Sequence, residues 1–203
     1  MKLLFFITAM AVGQFVFCQE VYTDIKLALK NPSLVKRLDL SNQTISGLGE
    51  LLPRFRNLEY LSLKNEHLAQ IPKEIGLLTH LKVLDLSGND FSVLPQEITY
   101  LNELEELYMN DETNLIVDKN FDIIKKLSHL KYLHLENDHL KDLPKNIKDL
   151  SHLEKLYLNN NELKTLPSEI KSIKSLKYID VHDNMLPKEQ MNDYKPYGIK
   201  IDF

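Results

Sequence analysis

The chain has 203 residues, of which 43% are hydrophobic and 27% are charged, and its formal net charge is −4 at pH 7. This composition is typical of a soluble globular domain of ordinary size. The acidic balance argues against a general affinity for nucleic acid, because proteins that bind the phosphate backbone carry a basic surface. The sequence has six glycines and neither a P-loop nor a GxSxG motif. We therefore expect no cofactor and no enzymatic activity.

The first twenty residues, MKLLFFITAMAVGQFVFCQE, differ from the rest of the chain. Lys2 is followed by an uncharged run that ends at Glu20. A short basic segment followed by an apolar segment is typical of a secretory signal peptide. We therefore predict that residues 1–18 are a signal peptide, that the mature chain begins at Gln19, and that the protein is secreted, periplasmic or at the cell surface. Cleavage at this point removes Cys18, so the mature chain is expected to have neither a disulfide nor a membrane span.

Two other interpretations of this N-terminal segment stay open. The uncharged run is close to the shortest length that crosses a bilayer, about 17 residues, so a retained membrane anchor is one of them. Acylation of Cys18 in a lipoprotein is the other. A lipid-modified cysteine usually follows a small residue, whereas Cys18 follows Phe17.

Residues 19–33 are predicted to form an N-terminal helical cap. Thr23 is a suitable residue to begin a helix, because its hydroxyl can accept a hydrogen bond from a free backbone N–H group. Asn31 and Pro32 are expected to end the helix. The apolar side chains expected to cover the core that follows are Ile25, Leu27 and Leu29.

Residues 34–186 repeat one pattern seven times. Leucines that flank a single residue, such as Leu156 and Leu158, indicate a strand with one buried face. The polar run that follows, NNNE at 159–162, indicates a turn. A fixed period of this kind predicts a solenoid, in which each repeat buries its leucines against its neighbours. The repeats are spaced by 23 residues, with one interval of 26, and begin at Val35, Leu58, Leu81, Leu104, Leu130, Leu153 and Leu176.

The second half of most repeats carries the motif LPxxIxxLxxL. It occurs as IPKEIGLLTHL at 71–81, LPQEITYLNEL at 94–104, LPKNIKDLSHL at 143–153 and LPSEIKSIKSL at 166–176. With the 23-residue period, this motif resembles the leucine-rich repeat family, and in particular exported bacterial members of it. The resemblance implies an α/β solenoid, a right-handed superhelix shaped as a horseshoe arc, with a concave parallel β-sheet and short helical turns on the convex side. It also implies a non-enzymatic module that binds another protein.

The ninth position of the repeat, which is usually asparagine in this family, varies in this chain. An ionised carboxylate cannot donate a hydrogen bond, and its burial is costly. We therefore expect Glu66 and Glu112 to turn toward solvent or to bind bridging water, which would break the asparagine ladder. The side chains at this position are Gln43, Glu66, Asn89, Glu112, Asp138, Asn161 and Asn184.

Two segments depart from the regular repeat. The 26-residue repeat lacks the proline, and we expect its three extra residues to bulge out around Asn114–Phe121, either as a contact loop or as a tolerated surface insertion. Residues 187–203 are predicted to be a C-terminal cap that ends in a strand, because apolar and polar residues alternate in GIKIDF.

Three histidines raise the question of a metal site. His80, His129 and His152 occupy the same position in their repeats, just before a strand. A repeat rule explains this placement better than metal ligation does, so we predict no metal site.

The side chains that alternate with the inward leucines are expected to form the concave surface. Tyrosine is enriched in binding hot spots, because it buries much area and keeps a polar tip. We predict that one exposed patch on this surface binds a partner protein. A cell-envelope structural protein or adhesin that binds glycan or surface polymer is the alternative, because aromatic side chains also bind sugars. The predicted patch consists of Tyr108, Tyr132, His134, Tyr157 and Tyr178.

Overall fold

A computed structural model describes residues 20–187, 189 and 194–203, so the predicted signal peptide lies outside the described residues. Across these residues the chain forms one sheet of nine parallel strands, whose order in space is their order in sequence. Consecutive parallel strands require every connection to return along the same side, so the chain winds into a solenoid. The predicted α/β solenoid, a leucine-rich repeat arc, is confirmed. The strands are Val21–Tyr22 (β1), Arg37–Asp39 (β2), Tyr60–Ser62 (β3), Val83–Asp85 (β4), Glu106–Tyr108 (β5), Tyr132–His134 (β6), Lys155–Tyr157 (β7), Tyr178–Asp180 (β8) and Lys200–Asp202 (β9).

The strands β2 to β8 belong to the seven repeats and pair without any shift of register. Leu133 pairs with Leu156 across a 23-residue repeat, and Leu107 pairs with Leu133 across the 26-residue repeat. The inward side chains of these strands are buried. Each buried leucine contributes about 1.5–3 kcal/mol before the entropy of ordering is subtracted. The central inward residues are Leu38, Leu61, Leu84, Leu107, Leu133, Leu156 and Ile179.

Short helices connect the strands on the side opposite the sheet. Four of the connections are five-residue 3-10 turns, each directly preceded by the motif's proline, and the isoleucine of each turn is buried. Proline suits this place because its missing N–H is not needed where a helical turn begins. The turns are Lys73–Leu77, Gln96–Tyr100, Lys145–Asp149 and Ser168–Ser172, and the α-helices are Ile25–Ala28 (α1), Leu48–Leu51 (α2) and Val117–Ile124 (α3).

The 26-residue repeat forms the helix α3, and the expected bulge around Asn114–Phe121 is wrong. The eight residues of α3 replace a five-residue 3-10 turn, and this difference absorbs the three extra residues. Phe121 is buried in the core, and the buried amide of Asn120 accepts a hydrogen bond from Leu94 N (2.9 Å) and donates one to Ser92 O (2.8 Å). The inserted residues therefore complete the core of this repeat.

The N-terminal cap contains a strand that was not predicted, β1, which pairs with β2. The helix α1 is capped by Asp24, and the prediction of Thr23 is wrong. The Asp24 carboxylate accepts hydrogen bonds from the backbone N–H groups of Lys26 and Leu27 (2.7 and 3.3 Å). Pairing in β1 keeps the chain extended until this point, so the helix begins one residue later. Leu27 consequently faces outward and is 52% exposed, while Ala28 is buried.

The C-terminal residues cover the last repeat with the strand β9, which pairs with β8. Ile199 and Tyr194 are buried, and Ile201 packs against the core from one side. Phe203 is 37% exposed. In the described part of the chain, no helix has the length and apolar character needed to cross a membrane.

The ninth-position side chains point into the turn that follows each strand, and the expected outward rotation of Glu66 and Glu112 is wrong. Glu66 is 3% exposed and Glu112 is fully buried. The Glu66 carboxylate accepts hydrogen bonds from the backbone N–H groups of Gln43, Thr44 and Ile45 (2.6, 3.0 and 2.7 Å). These three consecutive N–H groups belong to a partly buried turn and have no backbone acceptor among the described residues, so Glu66 satisfies all of them. The need for an acceptor therefore outweighs the cost of burying the carboxyl group.

Candidate concave binding face

The concave face is built from the outward side chains of β2 to β9, arranged in columns by the constant register. Tyr108, His134 and Tyr157 occupy the same position on β5, β6 and β7. Their rings stack, with centroids 3.9 Å apart between Tyr108 and His134 and 4.2 Å apart between His134 and Tyr157. Strands about 4.8 Å apart impose this arrangement on flat side chains in one column. We call these three residues the aromatic stack.

The two other predicted tyrosines lie in the neighbouring column. Tyr178 contacts Tyr157 at a centroid distance of 5.7 Å, and its hydroxyl donates to Asp202 Oδ2 (2.8 Å). Tyr132 lies on β6 with the Nζ of Lys155 5.5 Å from its ring centroid, within the range of a cation–π contact. The structure therefore brings the five predicted residues together on four adjacent strands.

His134 is buried, with 8% of its surface exposed, so the expectation of an exposed patch is wrong for this residue. Its two ring nitrogens lie against two carboxylates, with Nε2 3.1 Å from Glu106 Oε1 and Nδ1 3.2 Å from Glu136 Oε2. Because a carboxylate only accepts hydrogen bonds, both nitrogens can donate at once only when the ring is protonated. The hydroxyl of Tyr108 donates to Glu106 (2.8 Å), and the amide of Asn110 donates to Glu136 (2.8 Å).

The electrostatics of this cluster agree with a charged imidazole. Burial acts to lower the pKa of His134, but the hydrogen bonds with Glu106 and Glu136 outweigh it, and the pKa lies above its usual range. Hydrogen bonds from His134 lower the pKa of both glutamates. Burial, and then the hydrogen bond to Glu106, raise the pKa of Tyr108. The surroundings of His134, two tyrosine rings and two carboxylates, therefore favour its protonated form.

A column of alternating positive and negative side chains borders the concave face where the strands begin. This column was not predicted from the sequence. Aligning the repeats would have revealed it, because the second position alternates between lysine and glutamate in all seven. Ion pairs join Lys36 to Glu59 (2.6 Å), Lys82 to Glu59 (3.0 Å), Lys131 to Glu105 (3.0 Å) and Lys177 to Glu154 (2.6 Å). Exposed pairs of this kind contribute little stability each, because solvent screens the charges. The second-position residues are Lys36, Glu59, Lys82, Glu105, Lys131, Glu154 and Lys177.

The described residues contain no group of three or more His, Cys, Asp or Glu side chains that could hold a metal ion. Two of the three histidines that precede strands, His80 and His129, have different polar partners. His80 Nδ1 is 2.8 Å from Glu103 Oε1, and His129 Nδ1 is 3.2 Å from Ser128 Oγ.

The family follows from a comparison with known sequences. A model of the leucine-rich repeat region matches residues 23–119 and 113–194, which together cover most of the chain. This chain belongs to the leucine-rich repeat family. A search of the curated proteins finds no match.

Solved structures of other leucine-rich repeat proteins are similar over most of the chain. A leucine-rich repeat protein of Leptospira interrogans is 29% identical with a TM-score of 0.63, over 90% of this chain and 58% of that one. An internalin of Listeria monocytogenes is 18% identical with a TM-score of 0.66, over 84% of this chain and 48% of that one. Drosophila Toll, solved in complex with Spätzle, is 16% identical with a TM-score of 0.69, over 84% of this chain and 23% of that one. This chain thus spans about half the length of the two bacterial proteins. At their low identities, the internalin and Toll show the shared fold alone.

Proposed function

We propose that this protein is a non-enzymatic binding module that holds another protein on its concave face, with the aromatic stack at the centre of the interface. The observation that carries the proposal is the stack itself, in which Tyr108, His134 and Tyr157 are fixed by ring contacts and by two carboxylates. Side chains that are already ordered lose little entropy when a partner binds. Partly exposed tyrosine rings held in this way have the character of a binding hot spot.

The arrangement of the rings favours a protein partner over the glycan alternative. A sugar stacks on an open ring face, but both faces of His134 are covered, as is one face each of Tyr108 and Tyr157. The stack therefore presents mainly ring edges and polar tips to a partner. Such a surface suits the mixed apolar and polar side chains of a protein. The binding of Spätzle by Toll, a protein of similar fold, supports the same choice by analogy.

We also propose that the protein is exported, through the segment at residues 1–18. The apolar run behind Lys2 supports this proposal. The intact mass of the native protein tests it, because a mature chain that begins at Gln19 is expected. A native chain that retains Met1–Cys18 would contradict export by cleavage, and an added diacylglyceryl mass on Cys18 would indicate a lipoprotein.

The binding proposal is tested by substitution in the stack. Residues 19–203 are screened against candidate partner proteins and glycans, and the affinity of the partner found is measured for Tyr157→Ala. We expect binding to weaken by about 2 kcal/mol or more, a typical hot-spot loss. Because Tyr157 also stacks on His134 in the free protein, stability should fall by only about 0.5–1.5 kcal/mol. Circular dichroism at the assay temperature checks that the variant is folded.

Tyr60→Ala is the matched control. Tyr60 lies on the same face outside the stack, with the Arg37 guanidinium carbon 4.4 Å from its ring centroid, so the substitution removes a comparable ring. The partner should bind this variant as it binds the parent protein. Equal affinity of all three proteins would place the interface away from the stack and overturn the proposal.

A further inference from the structure

The strand β9 leaves one edge of the sheet open. It is the last strand in the sheet, and among the described residues no strand pairs with its outer edge. Lys200 N donates to Lys177 O and Asp202 O accepts from Val181 N, each at 2.9 Å, so the backbone of these two residues faces β8. The backbone groups of alternate residues in a strand point to opposite edges. The N–H and C=O groups of Ile201 therefore point outward, where they can pair with a further strand.

The inward side chains of this edge strand are covered on one side. Ile179 of β8 lies between two strands and is fully buried, whereas its pairing partner Ile201 packs against the core from one side only. Phe203, two residues further along, is 37% exposed. A further strand beside β9 would cover Ile201 as β9 covers Ile179.

Residues 199–203, IKIDF, are self-complementary when two copies of them run antiparallel. With a two-fold axis at Ile201, Lys200 of each copy lies opposite Asp202 of the other. Ile201 then meets Ile201 of the second copy, and Ile199 meets Phe203. Apolar side chains thus lie opposite apolar ones, and each positive side chain lies opposite a negative one. Cross-strand pairs of these kinds stabilise a sheet.

The charged side chains of β9 select this register over its neighbours. Both lie on the concave side of the sheet, where Lys200 Nζ is 3.4 Å from Asp202 Oδ2 and the Tyr178 hydroxyl donates to the same oxygen (2.8 Å). Only residues whose backbone groups point outward can exchange hydrogen bonds, so a shift of register must place Lys200 opposite Lys200 or Asp202 opposite Asp202. Like charges directly opposite each other destabilise a strand pair. The register centred on Ile201 therefore has the lowest free energy of the three.

We propose that two copies of this protein form a symmetric dimer by antiparallel pairing of their β9 strands around Ile201. The two nine-stranded sheets then become continuous, and their concave faces lie on the same side of the joint sheet. The strand at the other edge, β1, has only Val21 and Tyr22 and no charged pair to select a register. A contact of this length buries less than the roughly 1,000 Å² of a stable interface, so we expect a weak dimer, with a dissociation constant of about 10–100 µM.

Sedimentation equilibrium of residues 19–203 over a range of concentrations tests this inference. The parent protein should show a monomer–dimer equilibrium. Lys200→Asp and Asp202→Lys each place like charges opposite one another in the dimer, so each should raise the dissociation constant about tenfold or more. Mixing these two variants places opposite charges in both pairs and should restore a dimer. A merely structural role of either residue would not be reversed by mixing.

Two further variants sharpen the test. The double variant Lys200→Asp with Asp202→Lys exchanges the charges within one chain and should dimerise as the parent protein does. Lys164→Asp is the control, because it reverses the charge of an exposed residue outside the strands and should leave the dissociation constant unchanged.

Three results would overturn the inference. The first is a parent protein that stays monomeric at submillimolar concentration. The second is a series of assemblies larger than a dimer, which would indicate head-to-tail pairing of β9 with β1. The third is a dimer that neither single substitution weakens, or one that neither mixing nor the double variant restores, since the interface would then lie away from β9.

Discussion

In the turns that follow the strands, asparagine and carboxyl side chains at the ninth position both hydrogen-bond the backbone of neighbouring repeats, but they do so to different extents. Where the ninth position is asparagine, both halves of the amide are used. Asn161 accepts hydrogen bonds from Asp138 N and Leu140 N (3.0 and 2.9 Å) and donates to Leu135 O and Leu158 O (2.7 and 2.9 Å). Asn89 is bonded in the same way three turns earlier. These turns leave no polar atom of the asparagine amide unsatisfied.

Where the ninth position is Glu112 or Asp138, the side chain accepts a backbone hydrogen bond but donates none. Glu112 Oε1 accepts from Asn89 N (2.9 Å), and Asp138 Oδ1 accepts from Glu112 N (2.8 Å). The second oxygen of each carboxyl is buried without a hydrogen-bond partner among the described residues. Burial raises the pKa of both groups to about 8. The comparison indicates that every such turn has a buried acceptor, and we expect the turns that lack the side-chain donor to be the less stable ones.

The largest expected effect comes from removing an asparagine of the ladder. Asn161→Ala leaves two buried backbone N–H groups and two carbonyls without their side-chain partner. Each unsatisfied buried group costs about 1–3 kcal/mol, so we expect a loss of about 3 kcal/mol or more in the free energy of unfolding, measured by urea denaturation at pH 7. Glu112→Ala should cost less, since only Asn89 N loses an acceptor. An equal or larger loss for Glu112→Ala would show that the two kinds of turn do not differ as argued.

The next effect is a pH dependence that comes from the two carboxyl groups. In the unfolded chain Glu112 and Asp138 release their protons near their ordinary pKa values of 4.5 and 3.8, whereas in the folded protein they hold them up to about pH 8. The folded state therefore binds more protons between these limits. Stability is highest below about pH 4 for these groups and falls as the pH rises through 8, by at most about 1.4 kcal/mol per pH unit for each group.

Asp138→Asn tests this dependence. An amide cannot ionise, and its Nδ2 can donate as that of Asn161 does. Urea midpoints at pH 5 and pH 8 should therefore differ less than in the parent protein, and at pH 8 the variant should be more stable by about 2 kcal/mol. The reverse substitution, Asn161→Asp, should introduce the same pH dependence at a turn that lacks it. Parallel pH profiles for the parent protein and Asp138→Asn would contradict the assignment.

The sequence predicts the repeats, the register and the positions of the candidate site well, because one 23-residue period fixes which side chain faces which way. It predicts the surroundings of His134 poorly. Glu106 and Glu136 lie on different repeats and in different columns, and they meet the ring only after the strands are paired. The helix α3 could have been predicted from the sequence, because Val117, Phe121 and Ile124 have helical spacing.

The ladder shows why a rule about single residues fails in a solenoid. Burying a carboxyl group is costly in isolation, which is why Glu66 and Glu112 were expected to face the solvent. In the solenoid the neighbouring turn presents backbone N–H groups that would otherwise have no acceptor. The free-energy cost of leaving these N–H groups without an acceptor cannot be inferred from the sequence of one repeat, because it arises only where two repeats meet.

The smallest expected effect is that of Glu66→Gln. It makes the same change from carboxyl to amide as Asp138→Asn but should change the free energy of unfolding in the opposite direction. The Glu66 carboxylate uses both oxygens, with Oε1 accepting from Gln43 N and Thr44 N and Oε2 accepting from Ile45 N. Glu66→Gln offers one oxygen, so at least one of these N–H groups must face an NH₂ group that cannot accept. We expect a loss of about 1 kcal/mol in the free energy of unfolding at pH 7, measured by urea denaturation. The same change from carboxyl to amide should thus stabilise the turn at Asp138 and destabilise the turn at Glu66. If Glu66→Gln is as stable as the parent protein or more so, the number of backbone donors does not distinguish the two turns.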